Sequence, residues 1–346
     1  MDVIIHTQVY NGEKTLRRTI ESVLRQTYDN FIYYISDNAS TDSTRDIIEE
    51  YAQRDKRVVA KYNNSNEFYA YLDVITECCE KHPNGYWAML DADDEYLPEF
   101  LEKALETALE NDLDIVVCGY EALEEETGER IYLRQLEQDV TMYSVEFFNH
   151  IAQYNLFMRT VWGKLYSLSL LSKCNFNQVE TMPSYGGDTV LVMEAFTNAG
   201  KVCIMAKTLL IYYISTSSVT YRWEPKRIDS DHMLDDIIKS YIIKNCGGIS
   251  VQQEHFLINS YGIACVNTLT VLLEVKIEFA DVISNLIIIL DNEKTIELYA
   301  NSHAREDILK GIKNRILSWL MSREECNTPE GAVLAAEVVD KLEKLW

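Results

Sequence analysis

The strongest constraint on the fold is an alternation of strand-like and helix-like patterns over the first 120 residues. Short runs rich in β-branched and aromatic residues alternate with longer segments whose apolar residues recur at helical spacing. The predicted strands are residues 2–10, 31–36, 57–62, 85–90 and 114–120. The predicted helices between them are 13–27, 38–55, 69–82 and 98–112, the last with Pro98 at its first position. This order predicts an α/β fold with a mostly parallel sheet covered by helices on both faces.

The pattern changes further along the chain. Between residues 120 and 222 it is mixed, with a predicted strand at 130–136, helices at 143–154 and 188–200, and one or two strands at 201–215. From residue 229 onward, amphipathic helical patterns dominate. We therefore predict an α/β domain of residues 1–224 followed by an all-α domain of residues 225–346. The helical domain is expected to bind an acceptor, form a homodimer or dock on a larger enzyme complex, and the sequence leaves these roles open.

The charge balance limits the ligands that the chain can bind. The 346 residues include 55 acidic and 32 basic side chains, a formal net charge of -23. Such a surface repels phosphate backbones, so we expect no nucleic-acid partner. A small phosphorylated ligand would meet the same repulsion and would require a metal cation or a helix N-terminus.

Cysteine spacing and hydropathy indicate the compartment. The eight cysteines show neither CxxC nor Cys/His spacing, which argues against a zinc site and a disulfide scaffold and favours a reducing cytoplasm. The N-terminus reads as part of the fold, without a secretory signal pattern. Apolar stretches such as 282–290 are shorter than the roughly 18 residues that a membrane span needs, so no span is predicted. A lipid-linked acceptor would therefore be met only peripherally, at the membrane surface.

Carboxylates follow two of the predicted strands. Asp37 ends the second strand, and the fourth runs into Asp91, Asp93 and Asp94 within the stretch MLDADDEYLP at 89–98. Because ligands bind at the carboxyl ends of parallel strands, Asp37 and Asp91 are expected along one edge of the sheet. Two carboxylates two residues apart at that edge can hold one hard cation, Mg²⁺ or Mn²⁺. The alternative is a polar strand end whose last acidic residue caps the next helix.

The order of these motifs resembles the nucleotide-sugar-binding half of family two glycosyltransferases of the GT-A fold, which is Rossmann-like. The resemblance rests on VYNGE at 9–13, ESVLRQTY at 21–28, Asp37 followed by Ser-Thr-Asp at 40–42, and DADD at 91–94. The segment VWGKLY at 161–166 also resembles one that many of these enzymes carry ahead of their catalytic residue. The match covers about 220 residues and says nothing about the helical tail.

The resemblance implies a role for each matching residue. Val9, Tyr10 and Glu13 match the loop around the nucleotide base and ribose, and Asp37, with Asn38 beside it, matches the carboxylate that binds the uracil imide. Asp91 matches the residue near ribose and metal, and Asp93 matches the ligand of Mn²⁺ or Mg²⁺. Asp94 is expected to be largely structural. For Tyr10, packing in the core is the alternative.

The reaction of this family needs a base for the acceptor hydroxyl. Asp188, at the predicted start of a helix in SYGGDTVLVMEAF, supplies a carboxylate there, in a stretch that resembles the family's G-E-D with Gly187 in place of Glu. Its alternative role is an N-cap, which does not conflict with the base role. Three other departures are Gln8 for Pro, a missing Ala-Arg-Asn stretch in 66–75, and no histidine in 212–223. Arg222 or Lys226 is a candidate contact for the diphosphate.

The leading hypothesis is an inverting glycosyltransferase that moves a sugar from a UDP-sugar to a hydroxyl of a saccharide, lipid-linked glycan or protein-linked glycan, in glycan or polysaccharide synthesis. A sugar nucleotidyltransferase is the second reading, but it needs a glycine-rich basic loop that residues 7–15 lack. The third is a non-catalytic relative that binds a nucleotide or a protein partner. The dispersed histidines do not support a hydrolase triad.

Overall fold

The computed structural model of the protein describes residues 2–215 and 222–346. The chain forms two compact units. Among the described residues, the sheet unit contains 2–180 and 187–215, and the helical unit contains 181–186 and 222–346. The predicted division at residue 225 into separate domains stays a prediction.

The sheet unit is built on one ten-stranded sheet among the described residues. Its strands are β1 Val3–Val9, β2 Phe31–Asp37, β3 Val58–Tyr62, β4 Tyr86–Met89, β5 Glu95–Tyr96, β6 Ile115–Glu124, β7 Arg130–Arg134, β8 Val140–Tyr143, β9 Lys164–Ser167 and β10 Lys201–Ile214. The spatial order is β3-β2-β1-β4-β9-β6-β10-β5, with β7 paired to β6 and β8 to β10. Strands β1, β2, β3, β4, β6 and β10 share one direction, so the predicted mostly parallel sheet is confirmed.

Helices cover both faces of this sheet, as predicted. They are α1 Leu16–Leu24, α2 Thr44–Arg54, α3 Tyr71–Lys81, α4 Phe100–Asn111, α5 Ser144–Asn149, α6 Ile151–Tyr154, α7 Leu168–Leu171, α8 Asn177–Glu180 and α9 Gly187–Asn198. Val3 and Ile5 of β1 join the core formed with α1, α2 and α4. Ile4 is equally buried and belongs to the opposite face, because side chains alternate along a strand.

Two local predictions differ from the structure. Helix α4 begins at Phe100, so the prediction of Pro98 at its first position is wrong. The reason is that Glu95–Tyr96 forms β5 against β10, and the Leu97 N–H continues that pairing by donating to Leu209 O at 2.9 Å. The second difference is β9, which the sequence did not predict and which runs antiparallel between β4 and β6.

The helical unit consists, among the described residues, of α10 Lys226–Cys246, α11 Val251–Glu274, α12 Phe279–Asp291, α13 Glu293–Ala300, α14 Glu306–Met321 and α15 Pro329–Leu345. Its core is separate and is centred on residues such as Leu269, Leu286 and Ile312. Residues 181–186 belong to this unit because the backbone N–H groups of Ser184 and Tyr185 donate to Ser230 Oγ. The predicted helical character of the C-terminal region is confirmed.

Helix α11 is one feature that the sequence reading overlooked. Its 24 residues, Val251–Glu274, are long and apolar enough to cross a membrane by length and composition alone. Half of its apolar stretch is buried within the protein, as in the core helix of a helical bundle. Leu269 and Leu272 on its buried face are fully covered.

Candidate active site

The register of three strands brings the predicted site residues to one edge of the sheet. In the parallel pair β1/β2, Val9 lies opposite Asp37, and in the pair β1/β4, His6 lies opposite Met89. The Leu90 N–H then donates to His6 O at 3.0 Å, which carries Asp91 just beyond the strand end. The predicted common edge for Asp37 and Asp91 is therefore observed.

The loops that follow β1 and β2 are locked together by hydrogen bonds. Backbone N–H groups of the first loop donate to side chains of the second: Asn11 to Ser40 Oγ at 2.8 Å, Gly12 to Thr44 Oγ1 at 2.8 Å and Glu13 to Asp42 Oδ2 at 3.1 Å. In return, Glu13 Oε2 accepts from the Ser43 N–H at 3.1 Å. Glu13 thus braces the second loop, and its role toward a nucleotide stays a prediction.

The remaining residues of the predicted nucleotide site lie at the same edge. Asp37 is buried, and its Oδ1 accepts from the Ser40 N–H at 3.0 Å. Asn38 is also buried, and its amide donates to Glu67 O at 3.0 Å. Val9 is buried beneath them, whereas Tyr10 is 45% exposed. Core packing is therefore not the role of Tyr10, and its ring is available to a ligand.

Gln8, which stands where the family pattern has proline, holds a neighbouring segment in place. Gln8 Nε2 donates to Glu67 O at 3.3 Å and to Phe68 O at 3.0 Å. Because the Asn38 amide binds the same Glu67 carbonyl, two polar side chains hold the segment before α3 against the ends of β1 and β2. Proline could not form the Gln8 contacts, since it has no side-chain donor.

The three carboxylates after β4 form one cluster. A carboxylate oxygen from each of Asp91, Asp93 and Asp94 lies within 4.8 Å of the others. Asp94 is fully buried, and its Oδ1 accepts from the Tyr213 N–H at 2.9 Å. Its Oδ2 is buried without a hydrogen-bond partner among the residues that the structure describes. Such an unpaired buried oxygen requires an explanation, and an ion is one.

The electrostatics of the cluster favour a cation. Burial raises the pKa of all three carboxyl groups, and the charge of Asp93 raises the pKa of Asp91 and Asp94 further. Carboxylate oxygens are the ligands that hard divalent cations prefer. A divalent cation would remove the repulsion and supply the partner that Asp94 lacks. The donor set therefore fits a divalent cation, and Asp94 joins the candidate ligands beside Asp91 and Asp93.

Arg18 of α1 supports this acidic turn and was missed by the sequence reading. Its guanidinium donates to Asp93 O at 2.5 Å and binds both carboxylate oxygens of Glu125, at 2.8 and 2.9 Å. The guanidinium also lies over the Tyr213 ring, 3.7 Å from its centroid. Arg18 thereby fixes the backbone of the turn, and its charge lowers the pKa of Asp93 and Asp94. Helical periodicity placed it on α1 but gave no sign of its partners.

Asp188 lies in the first turn of α9, as predicted. Burial raises its pKa, while a hydrogen bond from Tyr71 and the nearby charge of Lys164 lower it. The Tyr71 hydroxyl donates to Asp188 Oδ1 at 3.2 Å. The charge of Asp188 in turn raises the pKa of Asp91, so the helix start and the carboxylate cluster face a common region. Asp188 is therefore a carboxylate that can accept a proton beside the candidate cation site.

The VWGKLY segment lies near both Asp188 and the carboxylate cluster, through Lys164 and Trp162 respectively. Lys164 is 1% exposed, and its Nζ donates to Thr160 O at 2.6 Å and to Trp162 O at 3.3 Å. Burial lowers the pKa of Lys164 to about 7. A hydrogen bond from the Trp162 side chain lowers the pKa of Asp91. The buried lysine therefore shapes the loop that presents Trp162 to the cluster.

The two basic residues that the sequence offers as diphosphate contacts are not part of the sheet unit. Arg222 and Lys226 are exposed residues of the helical unit. Half of the stretch that lacks the family histidine, residues 216–221, lies outside the described residues. A contact of Arg222 or Lys226 with a diphosphate stays a prediction.

A mostly parallel sheet with a carboxylate cluster and a helix-borne carboxylate at its ligand edge is the arrangement expected of a GT-A glycosyltransferase domain. The sequence model of the family described as Glycosyl transferase family 2 matches residues 4–174. Residues 4–174, which make up most of the sheet unit, belong to this family, and the protein is a sugar-transferring enzyme.

Glycosyltransferases are among the relatives of the chain, and a solved structure shares its fold. EpsH of Bacillus subtilis (strain 168), a candidate glycosyltransferase, is 28% identical over 243 residues, which are 68% of each chain. Glycosyltransferase GlyA of Streptococcus pneumoniae serotype 4 (strain ATCC BAA-334 / TIGR4) is 23% identical over 232 residues, 65% of this chain but 32% of GlyA. The crystal structure of S. aureus TarS 1-349 in complex with UDP-GlcNAc has a TM-score of 0.60 and 15% identity, covering 100% of this chain and 90% of that one. At that identity the TarS likeness establishes the fold.

Proposed function

We propose that this enzyme transfers a sugar from a UDP-sugar to a hydroxyl group of a saccharide acceptor, with inversion at the anomeric carbon. The observation that carries the proposal is the position of Asp188 at the start of α9, beside the cluster of Asp91, Asp93 and Asp94. A proton acceptor next to a cation site is what displacement of a nucleoside diphosphate by a hydroxyl requires. The TarS complex with UDP-GlcNAc supports the choice of nucleotide.

The nucleotide would lie along the ends of β1 and β2. Tyr10, exposed above buried Val9, would pack against the base, and Asp37 would accept the uracil imide N–H. Asn38 and Glu13 would keep the two loops in place through their observed contacts. Asp91 would lie near the ribose. Preorganised loops of this kind lower the entropy lost when a ligand binds.

Mn²⁺ or Mg²⁺ would be held by Asp93 and Asp91, with Asp94 as a further candidate ligand. Bound there, the cation would supply positive charge for the diphosphate as it leaves. Arg18 would keep the Asp93 backbone fixed while the carboxylates bind. The strongly negative chain would otherwise repel the diphosphate.

Asp188 would act as the general base. Its carboxylate would take the proton of the acceptor hydroxyl while that oxygen forms a bond to the anomeric carbon. The bond from that carbon to the diphosphate oxygen would break at the same time, and UDP would leave with the electron pair. Attack from the face opposite the leaving group inverts the configuration. Tyr71 would hold the carboxylate in its ionised form through the observed hydrogen bond.

We place the reaction in the cytoplasm, in glycan or polysaccharide synthesis. All eight cysteines are free, in keeping with a reducing compartment. The acceptor would be a saccharide or a lipid-linked or protein-linked glycan, the lipid-linked one reached at the membrane surface. We assign acceptor binding or homodimer formation to the helical unit.

A donor screen tests the proposed function. Purified protein is incubated with Mn²⁺ and a panel of UDP-, GDP- and TDP-sugars, and release of the nucleoside diphosphate is measured without an acceptor, because slow hydrolysis needs none. We expect release from one or a few UDP-sugars, and its loss on chelation of the cation. Release from no sugar nucleotide, together with no nucleotide binding, would instead favour a non-catalytic relative.

A further inference from the structure

Gly187, directly before the proposed base, has no room for a side chain. A Cβ atom added at this position would lie 2.4 Å from Cε1, 2.6 Å from Cζ and 2.7 Å from the hydroxyl oxygen of Tyr69. These distances are far inside van der Waals contact. The ring of Tyr69 thus occupies the space that a side chain at position 187 would fill.

The Tyr69 ring is itself held in place. It contacts Tyr71 edge-on, with ring centroids 6.1 Å apart and planes at 90°. Tyr71 is the donor to Asp188, so the two tyrosines and the carboxylate form one continuous packed group. The Tyr69 hydroxyl oxygen is buried beside the Gly187 backbone N–H, and this N–H opposes the rise in the pKa of the phenol. Burial and the charge of Asp188 raise the pKa of this phenol to about 12.

The same contact joins two positions at which the chain departs from the family pattern that it resembles. Gly187 stands where a glutamate is usual, and Tyr69 lies in the segment that lacks the usual Ala-Arg-Asn stretch. The structure brings these two positions into direct contact. The absence of a side chain at position 187 therefore makes room for the Tyr69 ring.

We infer that Tyr69 is a positioning residue for Asp188. Its ring fills the space beside Gly187 and, together with Tyr71, keeps water away from the Asp188 carboxylate. The same packing fixes the start of α9 relative to the carboxylate cluster. The inference rests on the proposed role of Asp188 as base. It assigns the space beside Gly187 to a tyrosine from the segment before α3.

A double-mutant cycle tests this assignment. Tyr69→Ala removes the ring, and Gly187→Ala forces the ring aside, so each is expected to lower kcat by about 10- to 100-fold. The double variant Tyr69→Ala/Gly187→Ala is expected to lose no more than Tyr69→Ala alone, because the clash disappears with the ring. Tyr69→Phe keeps the ring and is expected to retain kcat within about 3-fold of the wild type.

Two further readouts separate positioning from general damage. Removing the Tyr69 ring lets water reach Asp188, which lowers the pKa of its carboxyl group. The acid limb of the kcat/KM profile is therefore expected to move to lower pH in Tyr69→Ala. Tyr143→Ala, at an exposed tyrosine of the sheet unit, is the matched control and should leave the profile unchanged. Gly187→Ala is expected to lower the Tm less in the Tyr69→Ala background than in the wild type, which tests the contact without any activity.

The outcomes distinguish this inference from the proposed function. Losses that multiply in the double variant, or a Tyr69→Ala enzyme with the kcat and pH profile of the wild type, would overturn the positioning role. An inactive wild-type enzyme would contradict the proposed function and the role of Tyr69 in it. The Tm cycle would still report whether Tyr69 and Gly187 touch.

Discussion

The hydroxyl of Tyr71 donates a hydrogen bond to Asp188 Oδ1 at 3.2 Å, from a side chain that is almost fully buried. This bond favours the ionised carboxylate and opposes the rise in pKa that burial causes. A base must be ionised to accept a proton, so activity should fall as the pH falls through the raised pKa of Asp188. The acid limb should therefore lie above the range of an ordinary aspartate.

Tyr71→Phe removes this bond and keeps the ring. We expect the pKa of Asp188 to rise, which moves the acid limb of kcat/KM to higher pH and lowers kcat near neutrality by about 10-fold. Initial rates of UDP release between pH 5 and 9 measure both effects. A profile identical to that of the wild type would show that Tyr71 does not set the protonation of the base.

Arg18 should contribute more to stability than the arginine beside it. Arg18→Gln removes the contacts with Asp93 O and Glu125 and leaves a partly buried carboxylate without its cation. We expect the free energy of unfolding to fall by about 1–3 kcal/mol in urea titrations. Arg17→Gln is the matched control, because the Arg17–Glu50 ion pair is exposed and should contribute little. Equal losses in the two variants would contradict the anchoring role of Arg18.

The sequence predicted the sheet edge well because that edge depends on local patterns. Apolar runs ending in Asp37 and Asp91 are enough to place both carboxylates once the strands are parallel. The supporting residues depend on contacts that spacing cannot reveal: Arg18 reaches Asp93 across 75 positions, and Tyr71 reaches Asp188 across 117. Strand β9 was missed because Lys164–Ser167 has four buried residues and no alternation to mark its pairing.

Lys164 should make stability depend on pH. Its pKa falls from 10.5 in the unfolded chain to about 7 in the folded protein, because burial disfavours the charge. Between these values the unfolded chain binds more protons, so the contribution of Lys164 to the free energy of unfolding should rise with pH. We expect the wild type to gain stability between pH 7 and 10 relative to Lys164→Met in denaturant titrations. If the free energies of unfolding of the two proteins change with pH in the same way, Lys164 does not lose its proton on folding in this pH range.

Cation dependence tests the carboxylate cluster. Calorimetry should show UDP binding that tightens at least about 10-fold when Mn²⁺ is added to metal-free protein. Asp93→Asn should lose this dependence while its circular dichroism spectrum stays that of the wild type. Equal UDP affinity with and without Mn²⁺ would remove the cluster from the donor site. The same titration on Asp94→Asn asks whether the third carboxylate is a ligand or, as the sequence predicts, largely structural.

The central claim is that Asp188 accepts the proton of the attacking hydroxyl. The most direct measurement is the turnover number of purified Asp188→Asn with its best UDP-sugar and Mn²⁺, after calorimetry has shown that the variant binds UDP as the wild type does. The account predicts a fall in kcat of about 10²- to 10⁴-fold with UDP affinity unchanged. Full transfer activity in Asp188→Asn would contradict it.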